Sequence, residues 1–259
     1  MLQVKNISRH FGGVKAVDDV SFNVMKGTIH SVIGPNGAGK TTLFNLLTGV
    51  YTPSSGQVLF ADQDVTGFAP AALALCGMSR TFQNLQICMN MTACENVMLG
   101  SHRRLDHGLL AGLLRSAAMR RQDDTCREEA LGFMDFAGVG DYAKAHTTEM
   151  SFGALKRLEI ARALASKPSL LLLDEPAAGL NPTETAEISA LIQSIARSGL
   201  TVLLVEHDMK MVMNISDHIT VLNYGVKLVS GTTAEVRHDP RVIKAYLGAE
   251  AVDTVKATA

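Results

Sequence analysis

Gly34-Pro35-Asn36-Gly37-Ala38-Gly39-Lys40-Thr41 follows the strand-like segment Ile29-His30-Ser31-Val32-Ile33 and precedes Thr42-Leu43-Phe44-Asn45-Leu46-Leu47, whose apolar residues recur at helical spacing. Strand, glycine-rich loop and helix in that order are the context in which G-x-x-x-x-G-K-[ST] cradles phosphate. The glycines let successive backbone N–H groups turn inward around an anion. The helix aims the positive end of its dipole, about half an elementary charge, at the same point. The pattern assigns Gly34, Pro35, Asn36, Gly37, Ala38, Gly39 and Thr42 to the cradle, Lys40 to the β- and γ-phosphates, and the Thr41 hydroxyl to Mg²⁺.

Outward from this loop, Val-, Ile- and Leu-rich segments at residues 2–7, 29–33, 170–173, 201–205 and 219–222 read as strands, most of them followed by helical periodicity. That alternation predicts an α/β fold with a mostly parallel sheet covered by helices. Leu170-Leu171-Leu172-Leu173 lacks polar alternation, as a strand buried on both faces does, and it ends in Asp174-Glu175-Pro176. Ligand sites in such sheets lie at the carboxyl ends of strands. From about Leu85 to Met150 the pattern turns to helices and loops, with Leu131, Met134 and Ala137 at core-like spacing and Arg120-Arg121-Gln122-Asp123-Asp124 on a solvated face. We read this as a helical lobe inserted into the sheet domain. Residues 249–259 are small and polar and are expected to fray.

The 259 residues are 47% hydrophobic with a formal net charge of -1, so a large core is expected and no basic field that would recruit nucleic acid. Cys76, Cys88, Cys94 and Cys126 show no C-x-x-C spacing and are expected to be thiols in a reducing cytosol. Met1-Leu2-Gln3-Val4-Lys5 lacks the charged-then-apolar pattern of a signal peptide. Residues 41–61 carry no charge, but Asn45, Gly49 and Thr52-Pro53-Ser54-Ser55-Gly56 interrupt them, so a role at a membrane would require other chains to span it.

Further segments narrow the class. Ser151-Phe152-Gly153 opens a helix with Leu155, Leu158, Ala161 and Leu164 on one side and Lys156, Arg157 and Arg162 elsewhere. Ser151 is its expected N-cap, and an open helix N-terminus is also an anion site. Gln83 stands in Arg80-Thr81-Phe82-Gln83, His207 follows the 201–205 strand, and Phe11 stands in Arg9-His10-Phe11-Gly12. Taken singly, a histidine is more often structural and a glutamine after a strand carries no message.

In this order the segments resemble those of ABC transporter ATP-binding subunits, over about residues 2–248. The resemblance implies a P-loop (RecA-like) nucleotide-binding domain with an antiparallel β subdomain and an inserted helical subdomain. Its core would span about 1–84 and 156–248, the helical part about 85–155, with a tail over 249–259. It implies ATP and Mg²⁺ as cofactors, with Asp174, Thr41 and Gln83 toward the metal and Glu175 polarising the attacking water. His207 would contact the γ-phosphate, and Phe11 would stack on adenine, a contact worth about 1–3 kcal/mol. Ser151 and Gly153 would face the nucleotide of a second ATPase subunit, identical or related.

Ala177-Ala178-Gly179-Leu180-Asn181-Pro182-Thr183-Glu184-Thr185, Glu206-His207-Asp208-Met209-Lys210-Met211-Val212-Met213 and Val242-Ile243-Lys244-Ala245-Tyr246-Leu247-Gly248 are similar to the ATP-binding subunits of high-affinity branched-chain amino acid importers. That resemblance implies two membrane permeases, a solute-binding protein acting indirectly, and a peripheral place on the cytoplasmic face of the inner membrane. Three positions depart from the general pattern: Ala154 where a signature glutamine is usual, Asn181 where most ABC proteins carry aspartate, and Cys94 in place of an aliphatic residue. Importers of other amino acids, amides or aromatic acids share the pattern. Soluble ABC ATPases usually add a coiled-coil insertion or a second cassette, and neither occurs here. A P-loop kinase would leave Ser151-Phe152-Gly153 and His207 unexplained, and a non-catalytic cassette would release no phosphate.

Overall fold

The computed structural model describes residues 1–102 and 117–247. Its strands are of two kinds, and each kind builds its own sheet. In β1 (Leu2–Phe11), β2 (Val14–Val24) and β4 (Ser55–Phe60), buried residues such as Val4, Phe22, Val58 and Phe60 are interspersed with exposed ones. With the short β5 (Gln63–Asp64) they form an antiparallel sheet in the order β2-β1-β4-β5. Residues 2–7, grouped by composition with the parallel strands, belong instead to this sheet. Their Val and Ile content does not distinguish a half-covered strand from a fully buried one.

The second kind is buried on both faces at its centre. β3 (Ile29–Ile33), β7 (Leu170–Asp174) and β8 (Thr201–Val205) are buried at every position. With β6 (Met78–Arg80), β9 (His218–Asn223) and β10 (Val226–Thr232) they form a sheet in the order β10-β9-β3-β8-β7-β6, parallel except for β10. Side chains of β7 and β8 alternate between two cores. Leu171, Leu173, Val202 and Leu204 join the cluster that reaches the helical lobe, while Leu170, Leu172, Leu203 and Val205 join the one shared with the antiparallel sheet. Val32 and Asp174 both stand opposite Val205 in the ladders. The chain segments that leave these strands therefore emerge along one edge.

Helix α1 (Lys40–Leu47) follows β3 and buries Leu43, Phe44, Leu46 and Leu47. After α2 (Pro70–Leu75) come α3 (Ala93–Gly100) and α4 (Ala117–Phe136), which pack on α5 (Phe152–Ala165) through Val97, Ala130, Met134, Ala137, Leu155 and Leu158. Met134 and Ala137 are buried, Leu131 is half-buried, and Arg121, Asp123 and Asp124 are exposed. Lys156, off the Leu155-Leu158-Ala161 side of α5, is also buried and donates to the Gln83 carbonyl at 3.2 Å. This helix is covered almost all round, so its charged residues mark no solvent face. Helices α6 (Pro182–Arg197), α7 (Met209–Ile215), α8 (Thr233–Arg237) and α9 (Pro240–Leu247) complete the described chain. The tail expected over 249–259 lies outside the described residues. Among the described residues no helix is long and apolar enough to cross a membrane.

Candidate nucleotide site

Backbone geometry explains the glycines of the 34–41 loop. Gly34 has φ 157°, and a Cβ there would stand 2.3 Å from the Leu222 carbonyl oxygen. Gly39 has φ 99°, and its Cβ would meet the Ala16 carbonyl oxygen at 2.5 Å. Gly39 is also the N-cap of α1 and offers no side chain to the first-turn N–H groups, which stay available to an anion. Lys40 is buried and donates from Nζ to the carbonyls of Gly34 at 2.6 Å and Pro35 at 3.1 Å, closing the loop around its ammonium. Burial pushes Lys40 below the usual lysine range, and the Glu175 carboxylate opposes that shift. From outside, the turn at Tyr224-Gly225 braces the loop, with the Gly225 N–H donating to the Ala38 carbonyl at 3.0 Å.

The loop floors a cavity of about 560 Å³ lined by Val14, Lys15, Ala16, residues 36–42, Gln83, Glu175, Tyr224 and Gly225. Glu175 is half-buried with φ 48°, a conformation that costs a non-glycine residue about 1–3 kcal/mol and recurs at functional sites. Its Oε2 accepts from Gln83 Nε2 at 3.2 Å and lies 3.7 Å from His207 Nδ1. The buried Asp174 accepts at Oδ2 from Arg80 Nη2 at 2.7 Å. Glu206, fully buried, accepts from the N–H groups of Ala177 at 2.8 Å, His207 at 3.0 Å and Asp208 at 3.5 Å, and burial raises its pKa.

Seven of the expected residues, Gly34, Pro35, Asp174, His207, Phe11, Ser151 and Gly153, do not line this cavity. Phe11 packs edge-on against Tyr51 with ring centroids 5.4 Å apart, under the Arg9 guanidinium at 4.7 Å. Ser151 caps α5, accepting from the Ala154 N–H at 3.3 Å. Gly153 is pressed against α6, where a Cβ would meet Glu184 Oε1 at 2.5 Å. Three features carried no role in the sequence reading: Arg80, Glu206 and the Tyr224-Gly225 turn. An acid directly after a run of four apolar residues, the signal that picked out Asp174, also holds at Glu206, which follows Val202-Leu203-Leu204-Val205. An X-Gly pair between two strands marks a tight hairpin at Tyr224-Gly225.

A parallel sheet with a phosphate cradle after β3 and paired acids after β7 defines a nucleotide-binding P-loop ATPase. The chain belongs to the ABC transporter family, whose description matches residues 17–178. A second description, branched-chain amino acid ATP-binding cassette transporter, matches residues 226–252. The chain is 44% identical to the high-affinity branched-chain amino acid transport ATP-binding protein BraF of Pseudomonas aeruginosa, over 96% of this chain and 98% of that protein. It is 43% identical, with the same coverage, to the protein of the same description, LivG, of Escherichia coli. Among solved structures it is similar to a nucleotide-free ATP-binding cassette from an ABC transporter, with a TM-score of 0.83 and 32% identity over 96% of this chain and 99% of that one. The ADP conformation of MJ1267, an ATP-binding cassette of an ABC transporter, gives a TM-score of 0.82 at 32% identity with the same coverage.

Proposed function

We propose that this chain is the ATP-hydrolysing subunit of an importer for branched-chain amino acids, paired with a second ATPase subunit beneath two membrane permeases on the cytoplasmic face of the inner membrane. A solute-binding protein would deliver the cargo to those permeases. The cargo rests on likeness to BraF and LivG across nearly the whole chain. The chemistry rests chiefly on Glu175, held in a strained conformation at the cavity wall with Gln83 and His207 on the same carboxylate oxygen.

In this reading Lys40 and the N–H groups of residues 36–42 hold the phosphates. Glu175 takes the proton of a water that attacks the γ-phosphate in line, Gln83 and His207 orient that water and the phosphate, and Phe11 stacks on adenine. Ser151 and Gly153 serve the nucleotide of the partner subunit. In support, Ser151 is an exposed residue outside the chain's own cavity.

The donor set fits Mg²⁺. Among the described residues no group of three or more His, Cys, Asp or Glu could hold a metal alone, and Mg²⁺ beside nucleotides characteristically takes one or two carboxylates, phosphates and water. Asp174, the Thr41 hydroxyl and Gln83 would hold the ion, which would neutralise charge developing on the phosphate oxygens. The groove for a permease's cytoplasmic helix is placed on the helical lobe entered at Gln83, with residues 85–91 near it.

Phosphate release by the purified chain with Mg²⁺ and ATP tests the activity. Glu175→Gln is expected to bind ATP while turnover falls by about 10²- to 10⁴-fold; near wild-type turnover would remove Glu175 from the role. Uptake of labelled leucine that is unchanged when the gene is deleted would refute the cargo.

A further inference from the structure

Arg80, the last residue of β6, has a side chain only 10% exposed, and a guanidinium so buried requires partners. It has them on two elements. Nη1 donates to Asn45 Oδ1 at 2.8 Å and to Thr48 Oγ1 at 2.7 Å, in α1 and at its C-cap. Nη2 donates to Asp174 Oδ2 at 2.7 Å, at the end of β7. The rings of Phe82 and Phe44 flank the guanidinium, their centroids 4.9 and 5.8 Å from its central carbon. A planar fork spans these acceptors in a way that lysine, a single point of charge, does not reproduce.

This arrangement constrains Asp174 twice. The Asp174 side chain is 4% exposed, and the Arg80 guanidinium 2.7 Å away supplies its countercharge at that depth. Oδ2 is committed to the guanidinium, while Oδ1 takes no hydrogen bond from any described residue. Asp174 thus keeps one oxygen free of the clamp, which suits an ion that keeps most of its water and takes few protein ligands.

We propose that Arg80 is a positioning residue for the metal-holding carboxylate: it clamps Asp174 to the far end of the phosphate-loop helix and leaves it a single oxygen for the divalent ion that accompanies ATP. The inference rests on the reading of Asp174 given above. Loss of such an outer partner typically lowers metal affinity about 10- to 100-fold.

The test is binding of a fluorescent ATP analogue to the purified full chain, titrated with Mg²⁺ against a baseline in EDTA. Arg80→Lys keeps the charge and loses the fork; the Mg²⁺ midpoint is expected to rise about 10- to 100-fold with an unchanged EDTA baseline. Asn45→Ala and Thr48→Val free the other end of the clamp and should shift the midpoint in the same direction by less, and they decide the matter if Arg80→Lys does not fold. Unshifted midpoints beside a wild type that responds to Mg²⁺ overturn the assignment. An equal loss of binding with and without Mg²⁺ also overturns it, because general damage to the loop gives that result. A wild type that binds no analogue under either condition overturns the ATP-binding reading itself, and the role of Arg80 with it.

Discussion

Gly39 and Gly37 sit two residues apart in the same loop and have different reasons to be glycine. Both have positive φ, 99° and 78°, but a Cβ on Gly39 would strike the Ala16 carbonyl oxygen, whereas one on Gly37 would meet nothing within 4 Å. Gly37→Ala is therefore expected to cost only the backbone penalty of about 1 kcal/mol. Gly39→Ala should cost more, about 3 kcal/mol, and weaken ATP binding as α1 is pushed off Ala16. Thermal unfolding of the two variants checks the ranking, and equal shifts would show that the loop relaxes around either methyl group. The loop was legible in the sequence because its demands are local: consecutive residues with defined φ ahead of a helix. Arg80 was not, since its partners stand 35, 32 and 94 residues away. No pattern of spacing announces a contact that only the sheet order creates.

Caps decide how α6 begins. Asn181 accepts from the N–H groups of Thr183 and Glu184, both at 3.0 Å, while Glu184 accepts back from the Asn181 N–H at 3.1 Å. Asn181→Ala is expected to lose about 1 kcal/mol, a melting temperature lower by about 2–4 °C in a protein of this size. Asn181→Asp should hold or raise stability, because an anionic cap suits the helix dipole. Calorimetry that finds the aspartate variant as unstable as the alanine one would contradict this account of the cap. Among the strands, β7 and β8 were legible because the runs Leu170-Leu171-Leu172-Leu173 and Val202-Leu203-Leu204-Val205 leave little choice but burial, and β3 because the phosphate loop follows it. The three-residue β6 and the exposed β10 carry no such signal; neighbours recruit them.

Stability of the whole molecule is tied to pH through the middle of its parallel sheet. His30 on β3 is 2% exposed, with Nε2 2.9 Å from Thr220 Oγ1 and its ring 6.4 Å from that of His218. Burial, with the His218 charge adding to it, holds its pKa down from 6.5 to about 4. The unfolded chain thus takes up a proton that the folded one refuses. The contribution is complete above pH 6.5 and is lost as pH falls toward 4, to a limit of about 3 kcal/mol. Glu159 and Glu206, raised by burial, act in the opposite sense and favour the fold at the acid end of their own titrations. Urea midpoints measured between pH 7.5 and pH 4 should fall less steeply for His30→Gln than for wild type; parallel slopes would assign the acid sensitivity elsewhere.

Three amides share the one carboxylate of Glu206, one from the turn after β7 and two from the turn after β8. Breaking any one of them strands a polar atom in a dry place, at a cost of about 1–3 kcal/mol. The two turns are thereby yoked to a common pivot. A backbone shift at His207 therefore pulls through Glu206 on Ala177, and so on the segment leading to Asn181.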